Sequence, residues 1–328
     1  MLNVLFAGSP ECSVPSLEAV ARKHRLVAVL TNPSAPIGRS GHPVPTPVAQ
    51  AAERLKREGL ISQETPILTP ERIRDDTRTA IAACHPDIMV CFAYGKIFGP
   101  KTLGLFSLGA VNLHPSLLPR WRGSAPVPAA ILAGDIETGI TIQKMALEMD
   151  AGDILLQKRI PLDGTETTES LLNRVADEGA PLLAEILDRF EKGSVTGIPQ
   201  NSEQTTFCSM LKKEDGEINW HDSAARIDAR VRAFFPWPGT FTHAGERVLI
   251  IQKVKLYTGD VDRFTEKEFP VGKVIGMDKK EGILVQTGRG VLALERLYWQ
   301  TKKPLDWRSF LNGARDFIGL VLGNPVNK

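Results

Sequence analysis

Asn112 and His114 stand two residues apart in NLHPSLLPRWRGSAP (Asn112 to Pro126), directly behind the apolar run Gly109-Ala110-Val111. In a strand, residues i and i+2 project from the same face, so the amide and the imidazole point the same way. Pro115 cannot continue a central strand, which places the strand's end at His114. A carboxylate can join them. The turn DAGD, Asp150 to Asp153, links the apolar strand that ends near Met145 to Ile154-Leu155-Leu156. In open parallel sheets, sites lie at the carboxyl ends of strands, where Asn112, His114 and Asp150 all fall. An amide NH2 donates to an oxygen that turns negative in a tetrahedral intermediate. A protonated imidazole can do the same or deliver a proton, and a nearby carboxylate favours the charged ring. That set fits acyl transfer. GxSxG is absent and no Ser or Cys sits in a nucleophile elbow, so direct transfer is favoured over a covalent intermediate. Taken singly, each residue also fits a structural role, Asp150 as ordinary turn chemistry.

Positioning such a set requires a platform, and the first ~190 residues alternate strand-like and helix-like segments. Apolar, β-branched runs occur at Asn3 to Ala7, Leu26 to Leu30, Ile88 to Phe92, Ala110 to Leu113 and Gly139 to Met145. Helical patterns lie between or after them, at Val48 to Leu55, Arg72 to Ala83, Val127 to Ala133 and Thr168 to Lys192. The pattern predicts a Rossmann-like, mainly parallel α/β sheet covered on both faces. Gly8-Ser9-Pro10 after the first strand lacks the GxGxxG spacing, so Pro10 reads as a helix start and not as a dinucleotide loop.

Glu191 to Glu217 turns polar and Gly/Pro-containing, the composition of a linker. Beyond it come one helix, Ser223 to Ala233, the segment FPWPGT, and short strands at roughly ten-residue intervals. These are Phe241 to His243, Arg247 to Tyr257, Gly272 to Met277, Gly282 to Thr287 and Val291 to Trp299. They predict a smaller OB-like β-barrel domain. The expected organisation is therefore residues 1–190 as a catalytic α/β domain, 191–210 as linker and 211–328 as the β domain.

The chain has 328 residues, 42% hydrophobic and 24% charged, ordinary values for a globular protein of two domains. No apolar run reaches the ~18 residues of a membrane span. MLNVLFAGSP reads as a first strand and not as a signal peptide, which favours the cytoplasm. The four cysteines, Cys12, Cys84, Cys91 and Cys208, lack CxxC spacing, and the six histidines form no HxxxH or HExxH pair, so no metal is expected. Net charge is +2, but residues 207–328 carry 20 Lys+Arg against 15 Asp+Glu, whereas residues 1–206 carry 20 against 23. A polyanion contact by the C-terminal part is permitted. One loop stands out: Thr31 to Pro47, with five prolines, two glycines and no periodicity. Loops this long inside compact domains are usually functional or mobile.

NLHPSLLPRWRGSAPV, followed downstream by MDAGDIL (Met149 to Leu155), resembles the signature of the folate-dependent formyltransferases. Within that family the whole chain, residues 1 to about 320, is similar to the branch that formylates methionyl-tRNA. The likeness runs from VLFAGSP (Val4 to Pro10) through FAYGKI (Phe92 to Ile97) to MLKKEDGEINW (Met210 to Trp220) and FPWPGT (Phe235 to Thr240). The resemblance implies 10-formyltetrahydrofolate as formyl donor and initiator methionyl-tRNA as acceptor. It places the family's catalytic residues on Asn112, His114 and Asp150, with Asn112 and His114 holding the oxyanion and Asp150 orienting and charging His114. It puts the folate against Ser116, Leu117, Leu118 and Pro119. Arg39 corresponds to an arginine that engages the acceptor stem, although Ser40-Gly41-His42-Pro43 replaces the lysines usual there. Lys212 and Lys213 become phosphate contacts, and Arg120 and Arg122 become possible supports for the 3′ end. No coiled-coil seam is visible, so a monomer is expected. An amino-sugar nucleotide formyltransferase is the rival reading, because such enzymes carry a similar catalytic half and a β follower.

Overall fold

The computed structural model describes residues 1–36, 41–260 and 269–323. Arg39 lies outside the described residues. Two compact units divide the chain. The first comprises Met1–Pro126, Glu137–Leu162 and Ser170–Ser209; the second comprises Val127–Ile136, Asp163–Glu169 and Met210–Lys328. Residues 191–209, whose composition reads as a linker, belong to the first unit.

The first unit is built on a seven-stranded sheet. Its strands are β1 (Asn3–Gly8), β2 (Arg25–Leu30), β3 (Ile67–Leu68), β4 (Ile88–Phe92), β5 (Ala110–His114), β6 (Glu137–Lys144) and β7 (Ile154–Pro161). Their spatial order is β7-β6-β5-β4-β1-β2-β3. The five strands from β5 to β3 run parallel, and β6 and β7 add an antiparallel edge. This is the mainly parallel α/β class expected. The helices α1 (Val14–Lys23), α2 (Pro47–Arg57) and α3 (Asp75–Ala83) follow strands, as crossovers in a parallel sheet require.

Alternation along the strands sorts the two faces. Leu5, Ala7, Ala28, Leu30, Met89, Cys91 and Ala110 pack in one cluster with Ile81 of α3. Asn112 and His114 continue that face of β5 beyond Ala110. Leu113 points the other way and meets the long helix α5 (Thr168–Glu191) at Gly179, where an added Cβ would collide with the Leu113 side chain. Helix α4 spans Pro126–Ala133. Each fully buried Leu, Ile or Phe contributes ~1.5–3 kcal/mol, so the strand that carries the polar pair is anchored mainly from its reverse face.

The loop Thr31 to Pro47 is closed at its base. Ala35–Pro36 pairs antiparallel with Pro43–Val44. The buried Thr31 hydroxyl lies 2.6 Å from the Thr46 hydroxyl and 3.3 Å from that of Ser9. Thr46 also caps α2, accepting from Ala49 N at 3.1 Å.

In the second unit, helix α6 (Ala224–Ala233), with Ser223 as its cap, precedes a six-stranded antiparallel sheet. Its strands are β8 (Thr240–Ala244), β9 (Arg247–Tyr257), β10 (Val274–Asp278), β11 (Gly282–Gln286), β12 (Val291–Trp299) and β13 (Leu305–Asp306); helix α7 (Trp307–Asn312) ends the elements. The path is β8-β9-β12-β11-β10, with β13 on β12. Leu249, Ile251, Leu292, Leu294 and Leu297 form the core with Ile227 and Val231 of α6 and with Trp307, Phe310 and Phe317. An antiparallel β unit after an α/β unit is the class expected.

Gly139, within β6, tests how tightly the edge is packed. An added Cβ would overlap the Lys158 carbonyl of β7 and the Leu117 side chain. Gly139→Ala is expected to destabilise the protein by about 1–3 kcal/mol, as overpacking does, despite the entropy a glycine normally costs. A urea unfolding midpoint at or above that of the parent protein would contradict it.

Candidate active site

Asn112 pairs in register with Cys91 of β4 on one side and Gln143 of β6 on the other. Its side chain is half-buried and makes no hydrogen bond among the described residues. The amide is therefore an unspent donor on the face that alternation assigns it.

His114 is 3% exposed. Its Nε2 lies 2.8 Å from the Trp121 carbonyl oxygen. A carbonyl only accepts, so Nε2 carries the proton and Nδ1 of the neutral ring holds the lone pair. Trp121 turns its carbonyl inward from a left-handed backbone, φ 61°, a conformation that side chains other than glycine rarely adopt. Trp121 N donates to Thr206 Oγ1 at 2.9 Å, which ties this corner to the end of the first unit.

Asp150 faces the other ring nitrogen, with Oδ1 3.7 Å from Nδ1. Both carboxylate oxygens accept elsewhere: Oδ1 from Gln143 Nε2 at 2.9 Å and Oδ2 from Gly123 N at 2.9 Å. Asp150 itself sits at φ 53°. Gly152, two residues on, passes so close to Lys144 that an added Cβ would overlap its carbonyl. The Ala-Gly of this turn thus sets the position of the carboxylate.

Behind Asp150, Gln200 acts as a clasp. Its Nε2 donates to Asp150 O and Gly152 O, each at 2.7 Å, while its Oε1 accepts from Arg122 Nε at 3.0 Å and Nη2 at 2.8 Å. Arg122 is 6% exposed, with Glu148 3.4 Å from Nη1. The two-residue strand Arg122–Gly123 pairs in parallel with Phe207–Cys208. Arg122 is thus a buried brace of the site, not a solvated charge.

Burial is the largest influence on His114 and pushes its pKa below the ordinary histidine value; the Asp150 charge and the Trp121 carbonyl pull it back only in part. At neutral pH the resting ring is neutral, so Asp150 does not by itself charge it. Cys91, fully buried beside Asn112 in the sheet, has its thiol pushed up to about 12 by desolvation, which removes it as a nucleophile.

Comparison with known proteins agrees with this architecture. Residues 2–187 match the formyl transferase family model, and residues 210–315 match that of the formyl transferase C-terminal domain. The methionyl-tRNA formyltransferase of Treponema denticola is 50% identical over 97% of this chain and 98% of its own. The chain belongs to the methionyl-tRNA formyltransferase family. The corresponding Roseiflexus castenholzii protein is 41% identical over 94% of this chain and 95% of its own. Among solved structures, the sugar 3N-formyl transferase WlaRD, crystallised in the presence of dTDP and 5-N-formyl-THF, shares the fold at 16% identity. Its TM-score is 0.62, covering 92% of this chain and 99% of that one.

The other residues singled out from sequence fall in distinct settings. Ser116 is fully buried, and its hydroxyl donates to Arg120 O at 2.6 Å within the turn. Leu118 is buried, with its N donating to Thr141 Oγ1 at 3.1 Å and its carbonyl accepting from Gln157 Nε2 at 2.8 Å. Leu117 lies over Gly139, and Pro119 is half-buried. Arg120 stacks on the Trp121 ring, 4.5 Å from its centre. Lys212 and Lys213 are exposed on the second unit and form no ion pair among the described residues. Sequence reasoning missed Gln143 and Gln200. Gln143 had left a signal, an uncharged polar residue closing the apolar run of GITIQK. Gln200 had none. No group of three or more His, Cys, Asp or Glu that could hold a metal occurs among the described residues.

Because the folded state lowers the His114 pKa, the unfolded chain binds that proton more readily. Stability from this group is complete above the ordinary value of about 6.5 and is lost as pH falls from there through the lower folded value. Nitrogen-15 shifts should report an Nε2–H tautomer at pH 7 and a midpoint below 6.5. Asp150→Asn should lower that midpoint further, since it removes the charge opposing burial. A ring already protonated at pH 7 would defeat this account.

Proposed function

We propose that Asn112, His114 and Asp150 carry out formyl transfer from 10-formyltetrahydrofolate to the amino group of methionyl-tRNA, giving N-formylmethionyl-tRNA for translation initiation. The observation that carries the assignment of roles is the pairing of an unspent Asn112 donor with a neutral His114 whose free nitrogen faces Asp150.

Attack begins from the unprotonated amine, which esterification of the amino acid keeps available near pH 7. As nitrogen bonds to the formyl carbon, the carbonyl oxygen becomes negative, and the Asn112 amide donates to it. The attacking nitrogen must then lose a proton. His114 Nδ1 has the lone pair to take it, and the imidazolium so formed is balanced by Asp150 at 3.7 Å. The same proton passes to N10 of the folate as the carbon–N10 bond breaks, so His114 ends as it began. Trp121 O and Gln143 keep the ring and the carboxylate from rotating out of this relay. Burial suits the cycle, because a permanently charged ring could not accept the proton. The folate is proposed to lie against Ser116 to Pro119, a segment held by the Ser116 hydroxyl on Arg120 O and by Leu118 N on Thr141 Oγ1.

For the RNA, we propose that residues 1–190 hold the chemistry and that residues 211–328 supply a backbone grip, with Arg39, Lys212 and Lys213 on phosphates. The initiator tRNA is the proposed acceptor. The protein is proposed to act as a cytoplasmic monomer; no helix among the described residues is long and apolar enough to cross a membrane.

His114→Ala is expected to lose formylation by several orders of magnitude, and Asn112→Ala by about 10²–10³-fold, with tRNA affinity close to that of the parent. Single-turnover transfer and filter binding with the same charged tRNA measure both. Transfer retained in His114→Ala would defeat the relay. Equal or faster formylation of an amino-sugar nucleotide would overturn the choice of acceptor.

A further inference from the structure

The second unit contains a cavity of about 400 Å³ that the chemistry above does not use. On β9, Leu249 and Ile251 point into the core, so Val248, Ile250 and Gln252 occupy the opposite face. Phe241 of β8 and Tyr298 of β12 lie beside Ile250 in register and share that face. Phe235, Pro236 and Pro238 wall the cavity, and Lys213, Glu214 and Gln300 stand at its lining as well. The volume falls in the range of small-molecule sites, roughly 300–1,000 Å³, which combine apolar walls with a few placed polar groups.

Those polar groups are unspent. Gln252, Tyr298 and Gln300 make no side-chain hydrogen bond among the described residues, and Lys213 forms no ion pair among them. The backbone that carries the lysine is nonetheless held. It opens a tight turn, Lys213–Gly216, in which Lys212 N donates to Asp215 Oδ2 at 2.7 Å and the Asp215 carbonyl accepts from Arg230 Nη1 at 2.7 Å. Gly216 lies so near Gly239 that an added Cβ would overlap its carbonyl, which closes the turn onto the loop after Pro238.

We propose that this cavity takes one unstacked nucleotide of the RNA substrate, with its base against Phe235, Phe241 and Tyr298 and its phosphate on Lys213. An aliphatic ligand would leave two amides and a phenol unpaired. A base has a π-face for the aromatic walls and donors and acceptors along its edge for Gln252, Gln300 and Tyr298, while Glu214 can accept from ribose hydroxyls. The inference rests on the RNA-directed function proposed above for its source of nucleotide, but the pocket can be tested without it.

The test uses the full chain and the probes AMP, CMP, GMP and UMP in equilibrium dialysis, alongside KM for methionyl-tRNA. At least one mononucleotide should bind saturably. The shape-preserving double variant Gln252→Leu/Tyr298→Phe should weaken that binding about tenfold and raise KM for methionyl-tRNA by a similar factor, with its melting temperature retained. Phe241→Leu, which removes stacking and leaves the polar groups, should weaken mononucleotide binding as well. Normal formylation with no saturable binding of any mononucleotide, or with an unchanged KM in the double variant, would overturn the proposal. Mononucleotide binding without formylation of methionyl-tRNA would sink the substrate reading and still support a nucleotide site.

Discussion

The Asp150 carboxylate is the point on which the site turns. It is held by two donors from different parts of the chain, the Gly123 backbone and the Gln143 amide, and it presents its charge to an imidazole that burial keeps neutral. With its proton on Nε2, the neutral ring has nothing at Nδ1 to donate, so the carboxylate makes no hydrogen bond to it. It waits at 3.7 Å, where it contributes little until the ring takes a proton. In the proposed transfer the attraction would grow as the ring takes its proton, so that it would act on the barrier and not on the ground state.

Holding Asp150 accounts for much of the surrounding architecture. The left-handed backbone at Asp150, the close passage of Gly152 over Lys144 and the Gln200 clasp all act on one short turn. Arg122, buried in that cluster, would cost several kcal/mol as a lone charge; the Gln200 carbonyl and the Glu148 carboxylate offset the penalty. Residues 198–208 take part directly, through the Ile154–Ile198 bridge, Gln200 and the Phe207–Cys208 strand.

The strands were legible because their residues are apolar and β-branched, and the end of β5 at His114 followed from Pro115 alone. Strand direction was not legible. Nothing in the periodicity of Glu137 to Lys144 distinguishes a parallel partner from the antiparallel one it has. Asn112, His114 and Asp150 were singled out by residue type and position, and the fold sets His114 beside Asp150. Their supports were harder, since Gln200 contacts the site across some fifty residues and lies in a stretch whose composition looks like a linker. The burial of His114 was not legible for a related reason: a neighbouring Asp is visible in a turn motif, whereas desolvation depends on packing.

The hydroxyl contacts among Ser9, Thr31 and Thr46 join the two ends of the proline-rich loop to the first βα corner. Because both ends are stitched there, the residues between them can change in kind and number without the sheet registering it. If the excursion meets the RNA, as proposed, substitutions within it would alter that contact while its stitched ends stay anchored to the fold.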